Sequence, residues 1–127
     1  MKKLKDLLYT KSHEWVEFLD ESTVRVGLTD FAQHALGDIV FVNLPGAGDA
    51  VTAGESFADA ESVKAVSDIF SPVTGEVSAV NDVVLDNPQE INSDPYGAWL
   101  VEVRGVTAKE ELIDLDAYEK LCSEEEA

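Results

Sequence analysis

Between Arg25 and Arg104 the chain carries one Lys or Arg side chain, Lys64, among thirteen Asp and Glu residues. A primary amine can form an amide with an activated acid or a Schiff base with a carbonyl. Lys64 lies in the run Ala60-Glu61-Ser62-Val63-Lys64-Ala65-Val66, with apolar Val63 and Ala65 as its neighbours. Turn-forming stretches bracket that run, Ala53-Gly54-Glu55 before it and Ser71-Pro72-Val73-Thr74-Gly75 after it. Together they predict a lysine held at the tip of a hairpin. Schiff-base catalysis needs an amine desolvated in an apolar pocket, and none is evident around Ser62, where carboxylates lie nearby instead. Catalysis by this amine is therefore disfavoured.

The other residues of chemical interest are weaker candidates. His13 and His34 are too isolated to form a metal pair. Asp59 and Glu61 mark a solvated strand edge rather than an acid–base dyad, and with Asp68 they keep the tip hydrated. Gly46 and Gly48 follow Pro45 in an ordinary turn, so no Gly-rich phosphate loop is present. The single cysteine, Cys122, excludes an internal disulfide, suits a reducing compartment and reads as a small apolar residue of a terminal helix.

Length and charge set the frame for that amine. At 127 residues and 45% hydrophobic content, residues 1–127 fit one domain with a modest core. A net charge of −17 argues against nucleic acid or an anionic membrane as partner. It favours a monomer steered toward basic patches on other proteins. No apolar run approaches the roughly 20 residues needed to cross a bilayer, and Met1 to Leu8 shows no signal peptide.

Strand patterns dominate. His13–Phe18 and Thr23–Leu28 flank a turn at Leu19–Ser22, giving an amino-terminal hairpin over about 9–28, with Val24, Val26 and Leu28 facing the core. A short helix follows, capped by Thr29, with an apolar stripe of Phe31, Ala32, Ala35 and Leu36 and a left-handed stop at Gly37. Further strands are expected at 38–43, 56–61, 66–70, 76–80 and 99–103, with the lysine hairpin over about 56–70. Thr107 to Glu110 has capping-box spacing and Asp116 to Glu119 repeats it, which predicts two short helices over about 107–122 and a frayed tail over 123–127. Asn92 to Tyr96 reads as a structured turn, and Trp15 and Trp99 as core residues. A faint repeat pairs Gly37-Asp38-Ile39-Val40 with Gly48-Asp49-Ala50-Val51, and Gly75-Glu76-Val77 with Asn81-Asp82-Val83. Each unit reads as a strand opening, and the two halves meet at Lys64. The expected architecture is mainly β: a barrel-sandwich hybrid of two quasi-symmetric antiparallel sheets with a short internal helix and carboxy-terminal helices.

The run around Lys64, with Ile69 five residues later and Gly75 eleven later, resembles the lipoyl-attachment motif. More narrowly, the chain is similar to the H proteins of the glycine cleavage system. The resemblance is carried by Tyr9-Thr10-Lys11-Ser12-His13-Glu14-Trp15, Val26-Gly27-Leu28-Thr29-Asp30-Phe31-Ala32-Gln33, Leu36-Gly37-Asp38-Ile39-Val40-Phe41-Val42 and Asn92-Ser93-Asp94-Pro95-Tyr96. The turn from Tyr96 to Trp99 is one residue shorter than is usual there.

The resemblance implies a non-catalytic carrier with lipoate in amide linkage to Lys64, recognised in the context of Glu61, Ser62, Val63 and Ala65. Its implied partners are a pyridoxal-phosphate glycine decarboxylase, a tetrahydrofolate-dependent aminomethyltransferase, a dihydrolipoamide dehydrogenase, and a lipoate ligase or lipoyl transferase. The loaded arm is expected to fold back onto Ser12, Glu14 and Asp68, and the bacterial cytoplasm is the expected location. Two alternatives keep the tip lysine: a relay that donates lipoyl groups to other enzymes, and a lipoyl domain of a 2-oxoacid dehydrogenase. The second would ordinarily be shorter and joined to Ala/Pro-rich linkers, which this sequence lacks. A biotin carrier would place Met on both sides of the lysine.

Overall fold

A computed structural model describes residues 4–126. After a 3-10 turn at Leu4–Asp6 come β1 (Leu8–Tyr9), β2 (Glu14–Phe18), β3 (Val24–Leu28), α1 (Asp30–Leu36), β4 (Ile39–Asn43) and β5 (Ala50–Val51). The chain continues through β6 (Ser56–Ser62), β7 (Val66–Phe70), β8 (Val73–Val80), α2 (Asp82–Asp86), α3 (Glu90–Ser93), β9 (Val101–Lys109) and α4 (Leu115–Glu126). Among the described residues the strands form two antiparallel sheets of unequal size. One has six strands in the order β1-β2-β3-β9-β8-β5, and the other has three in the order β4-β6-β7.

Alternation decides which faces meet. Val24, Val26 and Leu28 of β3 are buried as their spacing predicts, and they join Ile39, Val42, Ala60, Ile69, Val77 and Val101 in one core between the sheets. A second cluster of Leu7, Tyr9, Trp15 and Tyr118 fixes α4 against β1 and β2. There Trp15 is fully buried, its Nε1–H donates to the Pro95 carbonyl at 3.0 Å, and it lies opposite Gly27 in the β2–β3 ladder. Trp99, expected in the core, is only half-buried and carries the Arg25 guanidinium 4.6 Å from its ring centroid.

Helix α1 forms as its ends dictate. Thr29 Oγ1 accepts the Ala32 N–H, and Gly37 ends the helix at φ 82° and ψ −159°, a region that side chains beyond glycine rarely enter. Asn92 of α3 then pins the corner between α1 and β4. Its Nδ2 donates to the Gly37 carbonyl and to Gln33 Oε1, both at 2.9 Å, and its Oδ1 accepts the Ile39 N–H.

Four expectations need correction. Thr107, Ala108 and Lys109 continue β9, because pairing of Thr74 with Ala108 and Val73 with Lys109 satisfies their backbone without a helix. One carboxy-terminal helix is found instead of two, and its cap is Asp114, whose Oδ1 accepts the Ala117 N–H at 2.9 Å. Residues 123–126 of the expected tail are helical, with Glu125 reaching the His13 ring; Ala127 lies outside the described residues. Asn81 opens α2 rather than a strand, since its side chain accepts the Val83 N–H and caps that helix. The turn expected at 92–96 begins inside α3.

Candidate functional site

Lys64 sits at the tip between β6 and β7, exposed. The tip is tight because Ser62 organises it. The Ser62 N–H donates to the Ala65 carbonyl at 2.8 Å, and the Ser62 hydroxyl donates to that same carbonyl. The hydroxyl oxygen also accepts the N–H groups of Lys64 and Ala65, both at 3.2 Å. A buried serine thus stands in for backbone partners that the three-residue connection Val63-Lys64-Ala65 cannot supply. Val63 N–H donates to the Asp38 carbonyl at 3.1 Å, which ties the tip to the chain entering β4. The backbone is held while the amine is presented.

The lysine stem does not stand free. A β-carbon built on Gly37 would lie 3.3 Å from Lys64 Cε and 3.7 Å from Nζ, so the stem rests on the bare backbone at the end of α1. A cleft of about 240 Å³ lies along α1, with Leu36, the residue before Gly37, in its lining. Its lining includes the stripe Phe31, Ala32, Ala35 and Leu36, of which Ala32 and Leu36 also pack against the main core. Ser12, Glu14 and Asp68 line the same cleft, so the segment of Ser12 and Glu14 is brought together with the distant Asp68 of β7.

Glu14 is nearly fully buried. Its Oε1 accepts the hydroxyls of Thr10 at 2.6 Å and Ser12 at 2.5 Å. Burial pushes its pKa above the usual carboxylate range, opposed by those hydroxyls and by the Phe70 N–H. A cation arriving beside it would offset that penalty. Asp68 is exposed on β7, directly opposite Asp59 of β6, so it meets the cleft as a solvated carboxylate.

The glycine cleavage H-protein family profile matches residues 7–125. The chain belongs to this family. It is 55% identical over 125 residues to a glycine cleavage system H protein from Lachnoclostridium phytofermentans, covering 98% of both chains. It is 54% identical over 119 residues to one from Mycolicibacterium vanbaalenii, covering 89% of this chain and 91% of that one. Its fold superposes on the crystal structure of a glycine cleavage system H protein from Mycobacterium marinum with a TM-score of 0.85 at 43% identity, covering 91% and 95% of the two chains.

Sequence reasoning passed over two residues of this site. His13, weighed only as a metal ligand, adopts φ 72°, which is uncommon outside glycine. Its ring stacks on Phe31 at 4.4 Å and is hydrogen-bonded to Tyr118 Oη at 2.7 Å and to Glu125 at 3.0 Å. It thereby joins α1, α4 and the cleft wall. Gly37, read as a helix stop, also makes room for the lysine stem. No local pattern announces either contact, because both partners come from distant segments.

Proposed function

We propose that this protein is the lipoyl-bearing carrier of the glycine cleavage system, with lipoate joined to Lys64 in amide linkage. The observation that carries the reading is the path from amine to cleft. An exposed Nζ stands on a hydrogen-bonded tip, its stem crosses Gly37, and the apolar stripe of α1 shares a cleft with Ser12, Glu14 and Asp68. A family match spanning 7–125 takes in the amino-terminal hairpin and α4, which supports this reading over a 2-oxoacid dehydrogenase lipoyl domain.

Attachment needs only an accessible nucleophile. The Nζ lone pair attacks the carboxyl carbon of activated lipoate, the amide bond forms, the activating group departs with its bonding electrons, and the amine releases a proton. Glu61, Ser62, Val63 and Ala65 supply the shape that a lipoate ligase or lipoyl transferase reads. Once bound, the dithiolane supplies a reversible disulfide–dithiol couple and a sulfur able to carry a one-carbon unit. The stripe of α1 would accommodate the arm's methylenes, and Glu14, Ser12 and Asp68 would hold a cationic cargo. The protein itself makes and breaks no bond of the glycine cycle. It serves a pyridoxal-phosphate glycine decarboxylase, a tetrahydrofolate-dependent aminomethyltransferase and a dihydrolipoamide dehydrogenase in turn, as a cytoplasmic monomer. Among the described residues no helix is long and apolar enough to cross a membrane.

The test is intact mass after incubation with lipoate, ATP and a lipoate ligase. The wild type gains one lipoyl group and Lys64→Arg gains none. The lipoylated protein, and not Lys64→Arg, then supports carbon dioxide exchange by glycine decarboxylase. Modification of another lysine, or exchange without Lys64, refutes the assignment.

A further inference from the structure

The outer face of the small sheet, just below the lysine tip, is apolar where a solvent face should be polar. Strand alternation would turn one of Val40 and Phe41 inward, yet both are 50% exposed. The cause is a register shift between Ile39 and Phe41: Ile39 pairs with Ser62 and Phe41 with Glu61, leaving Val40 as the extra residue of a bulge. The ladder continues from Glu61 to Val66, so Phe41, Glu61 and Val66 form one row across the three strands. Val66 is 62% exposed and Val63, in the tip itself, 68%. Asn43, Asp59 and Asp68 form the next row on the same face.

An apolar collar with an acidic border is costly on a free surface and suited to a protein partner. The Val63 N–H to Asp38 carbonyl bond fixes the collar relative to the amine. Among the described residues, no element in the ladder pairs with the free edges of β4 or β7.

We propose that this face is the docking surface for the enzyme that acylates Lys64. Its partner patch is an apolar ridge flanked by Lys and Arg side chains, as the net charge of −17 and the border of Glu61, Asp59 and Asp68 require. The acylating enzyme is singled out because its chemistry occurs at Nζ, so it must cover the base of the tip. Enzymes acting later meet the far end of the arm and can leave the base uncovered. A second copy of this chain is a poor occupant, because it would bring two acidic borders together. This inference rests on the carrier reading.

The experiment measures steady-state lipoylation by a lipoate ligase, with lipoate and ATP saturating and the carrier varied. Phe41→Ser combined with Val66→Ser should raise KM for the carrier about tenfold, with kcat changed less than about twofold, because transferable apolar contact is lost and the amine is untouched. Raised salt should increase the wild-type KM. Val83→Ser, at a 59% exposed position on α2 and so outside the three-stranded sheet, should match the wild type. Circular dichroism and unfolding midpoints should agree across the set.

An unchanged KM in the double variant, an equal loss in Val83→Ser, or a fall confined to kcat overturns the docking surface. So does a wild-type dimer by sedimentation that the double variant dissociates. Absence of any lipoylation in the wild type instead defeats the carrier reading itself.

Discussion

Gly37→Ala separates two consequences of one contact. At φ 82° and ψ −159° an alanine meets a backbone penalty of about 2–3 kcal/mol. The helix cannot readily end elsewhere, because the Gly37 N–H donates to the Gln33 carbonyl at 3.0 Å and its own carbonyl accepts from Asn92 at 2.9 Å. For a chain of this length that penalty lowers the unfolding midpoint by about 6–15 °C. The new methyl also lies 3.3 Å from Lys64 Cε, tighter than ordinary contact, and the flexible stem will swing aside. Lipoylation should then proceed at near wild-type rates, because Nζ stays exposed, while the loaded arm loses its route along α1 and releases its one-carbon cargo to water several-fold faster. Gly105→Ala is the control. That residue also has positive φ, 63°, but nothing within 4 Å of an added methyl, so it should lose about 1 kcal/mol and leave cargo release unchanged. Scanning calorimetry and the hydrolysis rate of the loaded carrier read the two effects. A Gly37→Ala midpoint within 2 °C of wild type would refute the backbone argument, and equal release by the two variants would refute the stem contact.

Gly27→Ala tests the second core cluster: an added β-carbon falls 2.5 Å from Cζ2 and 2.6 Å from Nε1 of Trp15, so the indole must leave its bond to Pro95. Overpacking and the lost bond together should cost about 3 kcal/mol or more, seen as a lower denaturant midpoint and an altered tryptophan fluorescence maximum. Glu14→Gln has a pH signature. Because burial raises the folded-state pKa of Glu14, its protonated form favours folding at low pH, and that contribution is lost as pH rises through the folded value. The stability of Glu14→Gln relative to wild type should therefore increase from about pH 4 to about pH 8; a flat difference would show that Glu14 does not titrate from a buried site. The same variant should hasten cargo loss from the loaded carrier, and an unchanged rate would exclude Glu14 as a cargo contact.

Much of the molecule was legible locally. The hairpin around Lys64, the Thr29 cap, the Gly37 stop and the alternation of Val24, Val26 and Leu28 all depend on residues within a few positions of one another. The errors arose where a local signal competed with a distant partner. Thr107 to Glu110 has helix-start chemistry, but β8 supplies a ladder for that segment. Trp99 has core composition, and it does pack against the second cluster, but only partly buried, with Arg25 over its ring. The apolar stripe on α1 was legible as a face, but its place in the lining of a cleft was not, since periodicity records a face and not what covers it.

By itself the sequence determined the chemistry on offer: one amine in a strongly acidic stretch, raised on a short hairpin by turn residues and a serine. Nucleophile, spacing and charge are properties of neighbours along the chain. Where that amine leads was decided only by tertiary structure. The meeting of Ser12, Glu14 and Asp68, the burial that unsettles Glu14, and the rest of Lys64 on Gly37 each join segments that no local interaction holds together. Those contacts exist because two sheets must bury their apolar faces against each other, and closing that core carries the distant side chains to one cleft.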